Sequence, residues 1–229
     1  ALTLLAGAWA TPASAQDSTP TPAAGVLAAA PSNLNCTPAA VDGTPSAAAV
    51  AQVASVYTIT ADTSAVRYRA QEELAGKGAN EAVGTSNAFV GNIYFDASGM
   101  PLACSRFDAD LRTLKSDSAR RDNYLYGNTL QTEQFPLASF VVTSITGLDK
   151  PLGKDAATFT LVGDLTIHGV TKTAAWEITA SLDGGTLTGK GSTAFDMPDF
   201  SITPPKVGPV ISLDEHVKLE VDISAKKSA

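Results

Sequence analysis

The stretch Phe159–Ala180, FTLVGDLTIHGVTKTAAWEITA, decides the fold. Phe159, Leu161, Leu165 and Ile167 share one parity, and Thr160, Asp164 and Thr166 the other. Past the His168-Gly169 pair, Ala174, Trp176, Ile178 and Ala180 alternate with Thr173, Glu177 and Thr179. Alternation of period two on both sides of a short Gly-containing break predicts an antiparallel hairpin with one buried face.

The same pattern extends in both directions. Tyr57 and Ile59 alternate with Thr58 and Thr60, and Val66, Tyr68 and Ala70 with Arg67 and Arg69. Phe89, Gly91, Ile93 and Phe95 face away from Val90, Asn92 and Tyr94, and Phe107, Ala109 and Leu111 away from Asp108, Asp110 and Arg112. Phe140–Ile145 reads as a shorter strand, and Leu187–Phe195 as one that bends or is closely approached at Gly189 and Gly191. Val217, Leu219, Val221 and Ile223 close the series against His216, Lys218, Glu220 and Asp222. About eight strands with turn signals between them predict an all-β fold, an eight-stranded antiparallel barrel or sandwich. One interruption, Ser116–Leu130, has Ser and Asp cap candidates at its start and stops near Gly127, which predicts a short helix over one end.

Before the strands, residues 1–15 read as the back half of a secretory signal, with an apolar run ending in Ala13-Ser14-Ala15. Residues 16–55 are rich in Ala, Pro, Thr and Ser and read as a flexible leader or tether. The barrel domain is expected over residues 56–227. These features predict an exported protein, periplasmic, in the cell envelope or extracellular.

A net charge of −7 argues against nucleic acid as a partner, because phosphate binding needs clustered Lys and Arg. Cys36 and Cys104 are either one bridge, which an oxidising compartment would permit, or two free thiols. Two His and two Cys are too few for a zinc site, so no metal and no other cofactor is expected. His168 and His216 read as structural or solvated. No G-x-S-x-G elbow surrounds any Ser. Gly189-x-Gly191-x-x-Ala194 lies inside a strand, where a dinucleotide fingerprint does not operate. No catalytic residues are predicted. Arg120, Arg121 and Asp122 either clamp a polar head group, with Arg121 the candidate contact, or fasten the helix to the barrel by an Arg–Asp pair.

Several segments together resemble the YceI-like family of exported lipocalin-like barrels. Gly163–Lys172, GDLTIHGVTK, is very close to that family's signature, with Thr173 where Pro is usual. Leu114–Asp117 with Arg121-Asp122 and Leu125, Thr132–Phe140, and Tyr57-Thr58-Ile59 with Ser64 and Val66 add to the resemblance. Where the family often ends a segment with R-x-D-F-G, this chain has Met197-Pro198-Asp199-Phe200-Ser201. The resemblance implies a non-catalytic protein that holds a polyisoprenoid or similar amphiphilic lipid inside the barrel, and a turn-locking hydrogen bond at His168.

Under that reading the apolar cavity would be lined by Tyr68, Phe89, Phe95, Phe107, Leu111, Phe140, Leu161, Leu165, Trp176, Ile178 and Phe195. The alternative for the same residues is a dry packed core. The small inward residues Gly91, Ala109, Gly163, Gly189 and Gly191 favour the cavity. Burying ~500 Å² of prenyl surface at roughly 25 cal/mol per Å² supplies about 12 kcal/mol gross, enough for binding without charge pairing. Two rival readings remain at this level: an enzyme acting on a quinone or small amphiphile in the cavity, and a structural surface domain with a filled barrel. Membrane-surface association and a homodimer are left open.

Overall fold

The computed structural model describes residues 53–205 and 210–228. The expectations for the signal-like start and for the leader up to residue 52 lie outside the described residues. Ten strands form one antiparallel sheet: β1 Ser55–Ile59, β2 Ala65–Leu74, β3 Gly78–Ser86, β4 Phe89–Phe95, β5 Arg106–Asp110, β6 Leu137–Thr146, β7 Ala157–Ile167, β8 Val170–Asp183, β9 Thr186–Asp196 and β10 Val210–Lys227. The order β1-β4-β5-β6-β7-β8-β9-β10 closes on itself through β1–β10 pairing, an eight-stranded barrel as expected.

β7 and β8 pair in the predicted hairpin from Ala157↔Ala180 to Ile167↔Val170. Its two-residue turn places His168 at φ 51° and Gly169 at φ 74°, the positive values that a tight primed turn demands at both positions.

β1 and β2 lie end to end along β10. β1 takes Ala225–Lys227, and β2 takes Val210–Asp222. The break between them is pinned by Ser64, whose Oγ donates to the Ser224 carbonyl at 3.1 Å and accepts from the Ser224 N–H at 2.9 Å. β3 is paired to β2 outside the closed ring and has no counterpart in the sequence reading. Its residues, GANEAVGTS, carry almost no large apolar side chain, so no alternation announces them. The strand is built by pairing with β2, with the Tyr68 ring lying directly over Gly84.

The outer wall of β2, β3 and β10 is held by ion pairs between Arg67 and Asp222, Arg69 and Glu220, Arg69 and Glu81, and Lys218 and Glu220. Hydrogen bonds from Arg69 and then Lys218 hold the Glu220 carboxyl at about 2, against an ordinary 4.5. A carboxyl depressed on folding stabilises the native state fully above its unfolded value and stops doing so as pH falls through its folded one. Acid titration of thermal stability should therefore show a loss beginning below about pH 4.5 that Glu220→Gln flattens. Because the group is partly exposed, the difference between the two proteins should shrink at high salt.

The predicted helix is present as α1, Ala119–Tyr124, continued by a wider π-type turn over Leu125–Thr129. Ser118 caps it by accepting from the Arg121 N–H.

Candidate ligand cavity

The barrel interior is divided along its length. At the end where β4 finishes and β7 begins, Tyr57, Ile59, Ile93, Phe95, Val142, Phe159, Ala180, Leu187 and Ala225 pack as a dry core. At the opposite end, beside the His168 turn and α1, the interior opens into a cavity of about 620 Å³. Ten of the eleven residues assigned to a cavity wall line it: Tyr68, Phe89, Phe107, Leu111, Phe140, Leu161, Leu165, Trp176, Ile178 and Phe195. Phe95 does not. It is 1% exposed and meets Tyr57 edge-on at 5.0 Å in the packed end. Parity puts Phe95 on the inner face correctly, but its height along the barrel puts it below the cavity.

An aromatic belt runs around part of the wall, with Phe89–Phe107 at 6.1 Å, Phe107–Phe140 at 6.4 Å and Phe140–Trp176 at 5.9 Å between ring centres. β7 lies between β6 and β8, so Phe140 reaches Trp176 only by crossing β7. It does so over Gly163, where a Cβ would sit 2.8 Å from the Phe140 ring and 2.2 Å from the Val141 carbonyl oxygen. Gly91 lies likewise beneath Phe107, and Gly191 beneath Ile178.

The inward glycines therefore correct an expectation. Gly91, Gly163, Gly189 and Gly191 do not line the cavity; of the small residues named, Ala109 alone does. Glycine lets a neighbouring large side chain lie flat on the sheet, so the missing side chain is replaced rather than left as space. The hollow arises instead where no opposing side chain reaches across.

The cavity mouth is polar and was only partly read from sequence. Arg121 lines it, but its guanidinium is engaged: Nη2 donates to Glu72 Oε1 at 2.8 Å, and Nη1 to Asp117 and to Ser116 Oγ. Asp122 takes no part in an Arg pair; it accepts from the Ser116 N–H at 3.0 Å and from the Ser116 hydroxyl at 2.6 Å. Asn80 Nδ2 adds a second donor to Glu72 Oε1 at 2.7 Å. Glu72 is the residue the sequence reading missed. It continues the inward parity of Val66, Tyr68 and Ala70, and its side chain is 4% exposed. Among the described residues, the Tyr68 hydroxyl is buried without a partner, and so is the Trp176 Nε1. Burial, opposed by Arg121 and reinforced by the nearby carboxylates, pushes the Tyr68 phenol up to about 12, so it stays protonated.

Beside the cavity, the His168 ring packs edge-on against Phe135 at 4.6 Å, and its Nδ1 lies 3.3 Å from the Phe200 carbonyl. A carbonyl only accepts, so Nδ1 carries the proton and the bond ties the hairpin turn to the Met197–Phe200 turn, as the resemblance implied. Phe200 is 2% exposed and packs on Phe195 at 4.9 Å. Ser201, where the family pattern has Gly, ends that turn at φ 56°. A side chain held in the left-handed region costs about 1 kcal/mol, so Ser201→Gly should raise the melting temperature by a few degrees without changing the fold.

His216 is an exposed partner of Asp196. Cys104 is disulfide-bonded, and Cys36, the other cysteine of the chain, lies outside the described residues. Among the described residues, no group of three or more His, Cys, Asp and Glu converges as a metal site.

A closed antiparallel barrel, packed at one end and hollow at the other beneath a short helix, defines a lipocalin-like cavity protein. The YceI-like domain model matches residues 57–225, and the chain belongs to that family. A UPF0312 protein of Vibrio vulnificus is 31% identical over 151 residues, 63% of this chain and 74% of that protein. One of Pseudomonas putida is 36% identical over 131 residues, 53% and 64% respectively. Among solved structures, BcnA of Burkholderia cenocepacia superposes with a TM-score of 0.59 at 17% identity, covering 73% of this chain and 99% of that one. A polyisoprenoid binding domain from Saccharophagus degradans gives 0.57 at 11% identity, covering 75% and 98%. At these identities the structural likenesses show the fold alone.

Proposed function

We propose that this chain is an exported, non-catalytic carrier that holds one amphiphilic lipid, a polyisoprenoid or a molecule of similar shape, with its chain in the cavity and its head at the α1 end. The cavity carries the proposal. A volume of about 620 Å³ suits a single ligand molecule, and a mainly apolar wall with a few polar groups gathered at one place matches a tail-and-head amphiphile. The polyisoprenoid binding domain with the same fold supports the ligand class. Binding is favoured over catalysis because the described wall carries neither His nor Cys, and its buried carboxylate is tied by Arg121 and Asn80. Export is supported by the signal-like start and by the disulfide at Cys104, a bond that persists in oxidising compartments.

Protein purified from an exporting host and extracted with organic solvent should yield one lipid per chain by mass spectrometry. Protein that is repeatedly recovered empty and takes up no added prenyl chain would refute the proposal. Leu219 lines the cavity and is only half-buried, so there is room beyond its side chain. Leu219→Trp should fill the hollow and lower lipid uptake by about 100-fold or more, while far-UV circular dichroism and melting temperature stay near wild type.

A further inference from the structure

We infer that the cavity selects amphiphiles with an uncharged, hydroxyl-bearing head over phosphorylated ones, through Glu72. This rests on the lipid-holding reading above and narrows it to a head-group class.

Both described donors to Glu72, from Arg121 and Asn80, reach the same oxygen, Oε1. No described residue donates to Oε2, although the side chain is almost completely buried and lines the cavity. An acceptor oxygen on a cavity-lining side chain takes its donor from whatever fills the cavity, and a ligand hydroxyl supplies one. The Tyr68 hydroxyl, on the same inward face of β2, is also without a partner among the described residues and offers a second polar contact.

The charge balance points the same way. Arg121 lines the cavity, yet it is shared between Glu72 and Asp117, so one positive charge meets two negative ones. A phosphate would have to approach an anion that presents only lone pairs, and Arg121 could turn to it only by abandoning Glu72. Of the other described cations that line the cavity, Arg67 is paired with Asp222, and Lys77 and Arg120 are exposed, where water screens them.

The test compares two probes with the same C20 chain, geranylgeraniol and geranylgeranyl phosphate, titrated by calorimetry into the delipidated full chain. The alcohol should bind about tenfold tighter or more, the scale of one hydrogen bond to a charged group. Glu72→Gln can keep an oxygen for Arg121 and Asn80 but replaces the open acceptor with an amide donor, so the preference should vanish or reverse. Tyr68→Phe removes a hydroxyl with no partner among the described residues. It should weaken the alcohol several-fold and leave the melting temperature unchanged. Equal or tighter binding of the phosphate by wild type, or a preference that survives Glu72→Gln, would overturn the inference while leaving the carrier function standing. Binding of neither probe would bring down the carrier function itself.

Discussion

Gly163→Ala is expected to destabilise the barrel by about 3 kcal/mol or more, one methyl group notwithstanding. The new Cβ would lie 2.2 Å from the Val141 carbonyl oxygen, a backbone atom that cannot rotate aside as a side chain can. Val141 sits where the β6–β7 register shifts between Val142 and Ser144, so moving its carbonyl disturbs an already irregular ladder. The same methyl group would lie 2.8 Å from the Phe140 ring and push it off β7, breaking the belt between Phe107 and Trp176. Thermal unfolding followed by circular dichroism should show a fall of roughly 6–12 °C for a domain of this size. A fall of a degree or less would mean that the sheet accommodates the methyl group, and that Gly163 is not what lets Phe140 cross β7.

Arg121→Met is expected to cost a similar amount for a different reason. It leaves Glu72 buried with Asn80 as its only described partner, and a buried ion pair broken on one side typically costs about 3–5 kcal/mol. Arg121 retains 20% of its exposure, which allows some water to reach the gap and places the value near the lower end. Removing both charges avoids the stranded anion. Glu72→Leu with Arg121→Met should therefore recover most of the loss, to within about 1 kcal/mol of wild type. Chemical denaturation of the two single variants and the double variant measures this coupling. Simple additivity would show that Glu72 and Arg121 do not stabilise the helix–barrel junction as a pair.

Strand faces were legible because a barrel wall has an inside and an outside. Trp176 and Ile178 read as inward from their own sequence neighbours, and the structure has them so. The helix over one end was legible from its caps and its stop near Gly127. β3 was not, because Ala82 and Gly84 face inward without bulk, and the volume that Gly84 lacks is supplied by Tyr68 from the neighbouring strand. Glu72 was within reach of the parity argument, since it follows Ala70 by two. Its partner was not, since Arg121 is 49 residues away and meets it only because α1 settles on that end of the barrel.

By itself the amino-acid sequence determined an all-β antiparallel fold, barrel or sandwich, with the inner face of most strands and the place of the helix, all of which follow from local alternation and capping. Tertiary structure alone decided which end of the interior is filled, why Phe95 seals while Phe107 lines, and that Gly91 and Gly163 carry rings rather than leave room. The physical reason is that period two records which side of a sheet a residue occupies. Whether space remains there depends on what reaches across from the opposite wall.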